Sequence, residues 1–216
     1  MKIYAFSGLG VDERVFQFLQ LDHELIHIEW LPPTQRETLP EYAKRLSKSI
    51  NTREPFGLLG VSFGGMIAIE VAKKLNPHFT VLISSAARAS ELPPIVRFIR
   101  ITKLYKFIPF GLVKVFPFPV VWLFSTRNKS MLKQIIQETD FVFLKWAFGS
   151  IVHWKNEEVP ENCYTIHGTK DRLIPLRGKA DFPVIQGGHF MIVDKADEIS
   201  QIIKNEVLSA FSDKIS

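Results

Sequence analysis

Two hydrophobic periods take turns along the chain. Short apolar runs bounded by glycine or proline give way to stretches where apolar residues recur every three or four positions, and this succession predicts strands alternating with helices. Lys2–Phe6 is an apolar run closed by Ser7-Gly8-Leu9-Gly10, a strand followed by a tight loop. Asp12 can cap a helix with Val15, Phe16 and Leu19 on one face. Leu25–Trp30 reads as a second strand, stopped by Pro32-Pro33. Thr38 and Glu41 have capping-box spacing, and Leu39, Tyr42, Ala43, Leu46 and Ile50 follow at helical period. Phe56–Val61 is a buried strand, Gly64–Leu75 a helix and His78–Ser84 a strand rich in β-branched residues. Much later, Cys163–Ile166 and Pro183–Ile185 read as the last two strands. The closing amphipathic helix is built on Ile199, Ile202, Ile203, Val207 and Phe211. Strands separated by helices predict an α/β architecture with a mainly parallel sheet.

Between the fourth and fifth strands the pattern changes, and charge changes with it. Residues 88–155 hold 11 Lys or Arg against three acids, Glu91, Glu138 and Asp140, whereas the rest of the chain holds 16 bases and 19 acids. The same stretch carries 13 of the 26 aromatic residues in under a third of the length. A basic, aromatic block inside a mildly acidic chain reads as an insertion with its own task. It is too apolar for a surface that tracks phosphates, so no nucleic-acid partner is expected. Phe107–Phe124 reaches the length of a membrane helix, but Pro109, Pro117, Pro119, Gly111 and Lys114 argue against a spanning segment.

The remaining composition is that of an ordinary globular chain: 216 residues, 46% hydrophobic and 23% charged, which excludes disordered and fibrous classes. At this length roughly 70% of the unfolded chain's surface can be buried without help from a metal or disulfide. The single cysteine, Cys163, excludes an internal disulfide and a Cys-rich zinc site, and fits a reducing, cytoplasmic compartment. No pair of histidines has metal-ligand spacing, so no metal and no cofactor are expected.

The strongest chemical signal is Gly60-Val61-Ser62-Phe63-Gly64-Gly65, a G-x-S-x-G match that follows an apolar strand and opens a helix. A serine on such a sharp turn needs neighbours with almost no side chain, which glycines at 60 and 64 supply. The helix N-terminus sets backbone N–H groups and a positive dipole end beside the serine oxygen. A plain strand–turn–helix with an incidental serine has the same pentapeptide, so the surroundings must decide. Asp171, in Gly168-Thr169-Lys170-Asp171, follows one strand, and His189, in Gly187-Gly188-His189, follows the next. Both then stand at the C-terminal edge of the sheet, where functional groups collect. A serine hydroxyl needs a base to take its proton, and the histidine needs a carboxylate to fix its tautomer. Asp140 and Asp194 are rival carboxylates, the latter more simply read as a helix cap. His167, one residue before the acid loop, is a candidate for lining the site; His23, His27, His78 and His153 read as structural or surface residues.

On Gly60–Gly65, Gly168–Asp171 with Pro175, and Gly188-His189, the chain resembles the α/β-hydrolase superfamily. The resemblance covers residues 1–86 and 156–216 as core, with 87–155 where such proteins insert a helical cap. It implies Ser62 as nucleophile, Asp171 as orienting acid and His189 as general base, in that family's chain order. It implies an oxyanion hole from the amides of Phe63 and Leu9, although many members carry histidine where this chain has Ser7. The hairpin that opens larger members is missing, which implies a sheet of about six strands.

The expected activity is that of a serine hydrolase of carboxylesterase type, cleaving an ester-like bond of a small, largely apolar substrate. Thioesters and activated carbon–carbon bonds use the same constellation, and a receptor that keeps the fold without catalysis is the alternative from another class. The cap is expected to form an apolar cavity over Ser62, with Phe116 and Trp122 as substrate-binding candidates. Lys103, Lys106 and Lys114 with exposed aromatics offer a further partner, an anionic membrane surface. Oligomeric state is not legible.

Overall fold

In a computed structural model, which describes residues 1–107 and 118–212, the chain builds one six-stranded parallel sheet. The strands are β1 (Lys2–Phe6), β2 (Glu24–His27), β3 (Phe56–Val61), β4 (Thr80–Ile83), β5 (Cys163–Gly168) and β6 (Phe182–Val184). Their spatial order is β2-β1-β3-β4-β5-β6. All five pairings are parallel. The chain steps from β1 to β2 on one side, then crosses to β3 on the other. The strand order therefore reverses between β1 and β3, and the loops after these two strands open a crevice at the sheet's C-terminal edge. All six residues of β3 are buried, as expected of a strand covered on both faces.

Two helices sit beside this crevice. α1 (Leu39–Leu46) starts with the expected capping box, in which the Glu41 carboxylate accepts the Thr38 amide at 2.9 Å. α2 (Phe63–Leu75) follows β3 directly, and 10 of its 13 residues are buried. The segment capped by Asp12 is a single 3-10 turn, Glu13–Phe16, rather than a full helix. β2 ends at His27, short of Trp30, because the Trp30 ring leaves the sheet to pack on Tyr42, Phe63 and Phe143.

Between β4 and β5 the chain leaves the sheet. It forms α3 (Pro94–Thr102), α4 (Phe118–Phe124), α5 (Lys129–Glu138) and α6 (Phe141–His153). The two ends of this excursion are tied together: Asn156 donates to the Ala87 carbonyl at 2.9 Å and accepts the Ala89 amide on its own carbonyl. Trp154 donates to the buried Glu70 of α2 at 2.9 Å, and Lys73 bridges Glu70 and Asn156. α6 is held down by aromatic contact, Trp146 lying 4.4 Å from Tyr42 and Phe143 packing edge-on to Phe63. These two rings pack the excursion onto the core. Among the described residues no helix is long and apolar enough to cross a membrane.

After β6 come α7 (Met191–Asp194) and α8 (Ala196–Ile202), and the chain continues helically to Ser212 with Ile199, Ile203 and Val207 buried.

Candidate active site

Ser62 sits between the last residue of β3 and the first of α2, at φ 53° and ψ −120°. A left-handed conformation at a residue with a Cβ costs on the order of 1–3 kcal/mol and persists only where its surroundings impose it. Here they do. The Ser62 amide donates to Ile83 on β4, and its carbonyl accepts from Gly65 N at 2.9 Å and Ser85 Oγ at 2.6 Å. The flanking glycines are dictated by approach distance. A Cβ on Gly60 would lie 2.5 Å from the Gly64 carbonyl oxygen, and one on Gly64 would lie 2.2 Å from the carbonyl oxygens of Phe6 and Ser7. The helix can start this close to β1 only because neither residue carries a side chain.

His189 and Asp171 reach the serine from the loops after β6 and β5. These loops are stitched together by Thr169 N to Val184 O and Lys170 N to Gly187 O, at 3.0 and 2.8 Å. His189 Nε2 lies 2.8 Å from Ser62 Oγ, and its Nδ1 lies 2.7 Å from Asp171 Oδ2. The other carboxylate oxygen of Asp171 accepts the amides of Leu173 and Ile174 at 2.9 and 2.8 Å. Histidine and aspartate are both buried, at 2% and 5% exposure, so a short, dry line of hydrogen bonds runs from carboxylate to hydroxyl. With Nδ1 donating to the carboxylate, Nε2 is left as an acceptor facing the serine.

His167, weighed in the sequence only as a lining candidate, stands behind the acid. Its Nε2 donates to the Ile174 carbonyl at 2.8 Å and is 3.5 Å from Asp171 Oδ2. The two rival carboxylates are engaged elsewhere. Asp140 caps α6 by accepting the Val142 amide, and Asp194 accepts Arg127 N and Asn128 Nδ2 from the excursion. Burial pushes the Cys163 thiol up to about 12. It stays protonated at neutral pH and offers no competing thiolate.

The loop after β1 faces the serine from the other wall of the crevice. Gly8, Leu9 and Gly10 line the same cavity as Ser62, Phe63 and His189. Phe63 is the first residue of α2, so its amide is one of the four that a helix leaves without an intrahelical partner. Ser7 Oγ donates to the Val11 carbonyl at 2.6 Å, and His27 Nε2 is 3.3 Å from the same oxygen. The single hydroxyl proton is already committed to Val11, so the His27 ring is the donor in that second bond. Burial holds the His27 pKa below its ordinary value. Sequence reasoning missed this brace, which depends on β1–β2 register pairing Ala5 with His27.

Above the serine lies a cavity of about 340 Å³. Core residues Val15, Met66 and Ile192 form its floor, and Ile95, Val96 and Ile99 of α3, Val120 and Phe124 of α4, and Phe141 and Phe148 form its roof. The Phe124 ring stands edge-on to His189 at 5.0 Å. The two substrate-binding candidates fare differently. Phe116 falls outside the described residues. Trp122 is not among the lining residues; it is 55% exposed, with the Arg172 guanidinium 4.6 Å from its ring centroid. The reason is helical geometry: Val120 and Phe124 are four apart and share a face, while Trp122, midway between them, points away. Among the described residues no group of three or more His, Cys, Asp or Glu could hold a metal ion.

Comparison with known proteins agrees with this architecture. No curated protein matches the chain by sequence. Among solved structures, a hydrolase from Oleispira antarctica superposes with a TM-score of 0.72 at 13% identity, over 96% of this chain and 90% of its own. MenH from S. aureus gives 0.70 at 16%, over 98% and 94%. A thermophilic esterase from Thermogutta terrifontis gives 0.68 at 14%, over 98% and 90%. Identities this low establish shared fold. A family model described as the alpha/beta hydrolase family matches residues 7–202, nearly the whole chain: the protein belongs to the alpha/beta hydrolase family.

Proposed function

We propose that the protein is a serine hydrolase that cleaves an ester-like bond of a small, largely apolar substrate, with Ser62, His189 and Asp171 as its catalytic triad. The observation that carries this reading is the unbroken hydrogen-bonded line from Asp171 through His189 to Ser62, at 2.7 and 2.8 Å, opening into an apolar cavity. In the first half-reaction Ser62 Oγ attacks the carbonyl carbon while His189 Nε2 takes the hydroxyl proton. Asp171 holds the ring and stabilises the imidazolium. The amides of Leu9 and Phe63 are the donors for the developing oxyanion, with the N-terminal end of α2 adding its dipole. The imidazolium then protonates the leaving alcohol, and an acyl-enzyme remains on Ser62. In the second half-reaction His189 draws a proton from water, hydroxide adds to the acyl carbon, and the acid departs as Ser62 Oγ regains its proton.

The excursion between β4 and β5 acts in this scheme as a cap that excludes water and contacts the apolar part of the substrate. A carboxylic ester is the bond of first choice because an alkoxide leaves more readily than an amide anion.

The test is labelling with a fluorophosphonate, which reacts only with an activated serine, followed by mapping of the modified peptide. Wild-type protein is expected to label at Ser62, and Ser62→Ala and His189→Ala to lose labelling while keeping the wild-type circular dichroism and melting profile. Stoichiometric labelling of Ser62→Ala at another serine overturns the assignment. A wild-type protein that binds apolar ligands but never labels makes it a receptor.

A further inference from the structure

Among the described residues, α3 is the α-helix of the excursion with no buried residue. Ile95, Val96 and Ile99 border the cavity over Ser62, Ile95 with 55% of its surface also exposed. Its outer stripe, Phe98 and Ile101, is 54% and 69% exposed, and Leu104 continues it at the next turn. Arg97, Arg100 and Lys103 are interleaved with these residues, and the helix carries no acid. The three acids of residues 88–155 are all engaged elsewhere: Glu91 with Arg88 and the Ala87 amide, Glu138 with Arg14 and Gln134, Asp140 as the cap of α6. Among the described residues, none therefore neutralises the cations of α3.

We propose that the outer face of α3 docks on an anionic lipid surface, Phe98 and Ile101 entering the acyl boundary while Arg97, Arg100 and Lys103 meet lipid phosphates. Single large apolar side chains between cations are what an interfacial helix requires, since each cation contributes near a charged leaflet and each apolar group gains by leaving water. A second copy of the chain is a poor occupant: a two-fold contact would set Arg97, Arg100 and Lys103 against their own equivalents. The exposed Trp122 of α4, with Arg172 over its ring, repeats the same chemistry on another helix that roofs the cavity. Because α3 has lipid on one side and the cavity on the other, an apolar substrate has a short path from membrane to Ser62.

Docking is independent of the chemistry at Ser62, so it is tested by binding alone. The full chain is sedimented with large unilamellar vesicles of phosphatidylcholine, or of phosphatidylcholine mixed with phosphatidylserine, at low and high salt. Binding is expected only to the anionic vesicles, and to weaken as salt rises. Phe98→Ser/Ile101→Ser, and separately Arg97→Gln/Arg100→Gln/Lys103→Gln, are each expected to lower the partition coefficient on the order of tenfold to a hundredfold while melting and fluorophosphonate labelling stay as in wild type. Absence of binding to anionic vesicles at low salt overturns the proposal. So does binding that only the charge variant lowers, which makes the face a site for a soluble acidic partner. Self-association lost in Phe98→Ser/Ile101→Ser, without vesicle binding, assigns the face to a second copy instead.

Discussion

α2 and α3 are both written largely in apolar residues, and the fold treats them in opposite ways. Ten of the 13 residues of α2 are buried and none of the nine in α3. α2 reaches the sheet because Gly64 and Gly65 let its first turn touch β1 and the loop after β4, where any Cβ would clash. α3 carries Arg97 and Arg100 among its apolar residues, which divide between a cavity and solvent. Apolar content therefore does not decide burial; close approach does. The consequence for the site is a division of labour. Ser62 stands at the head of the helix whose packing leaves it no freedom, while part of the apolar wall over it belongs to the helix with no buried residue, where local opening costs least.

The sharpest way to break this contrast is a pair of glycine substitutions. Gly64→Ala drives a Cβ to 2.2 Å from two backbone oxygens, so the turn at Ser62 cannot keep its geometry. A loss of more than about 4 kcal/mol, or failure to fold, is expected in denaturant unfolding. Next in size comes the acid. Asp171→Asn is expected to lower turnover on the order of 10⁴-fold with stability retained, as for the orienting aspartate of serine proteases, while Asp140→Asn and Asp194→Asn remain within about tenfold. A crippled Asp194→Asn beside an active Asp171→Asn would reverse the assignment of the two loops. The roof is probed by substrate: with p-nitrophenyl esters of increasing acyl length, kcat/KM is expected to rise roughly fourfold per methylene until the cavity is full and then to fall. A steady preference for acetate would turn the roof aromatics into plain packing. The smallest effect is the counterpart of the first. Gly149→Ala lies inside α6, where the nearest atom to the new Cβ is 4.0 Å away, on Tyr105. It is expected to raise stability by about 0.5–1 kcal/mol and to leave the chain-length profile unchanged. Destabilisation there would show that α6 is packed as tightly as α2.

The legible parts of the site were those whose chemistry is local or lies at a strand end. The glycines around Ser62 announce a turn that no other residue type fits. Asp171 and His189 each come a few residues after a strand, and a parallel sheet brings all such positions to one edge. What stayed illegible depended on register and on facing. His167 is one position from the acid loop, but its hold on Ile174 and its approach to Asp171 follow from how that loop folds back on β5. The Ser7–His27 brace exists because β2 pairs with β1 in one particular register. Trp122 was expected in the cavity because it is large and apolar; one half-turn of α4 put Val120 and Phe124 there and left the indole outside.

Read alone, the amino-acid sequence determined the alternation of strand and helix, the strained serine turn and the three chemical groups in their order. Each of these is a short-range property: hydrophobic period, the steric demand of a turn, or the distance along the chain from a strand's end. Only the tertiary structure decided that the three groups meet within hydrogen-bond distance, that the excursion closes on itself at Ala87 and Asn156, and which faces of its helices look down on Ser62. Those outcomes rest on contacts between residues far apart in the chain, such as Ser62 with His189 or Phe63 with Phe143. A helix of apolar residues alternating with cations carries no mark in its own sequence of which neighbour will cover it, because burial is a property of the packed pair and not of either partner.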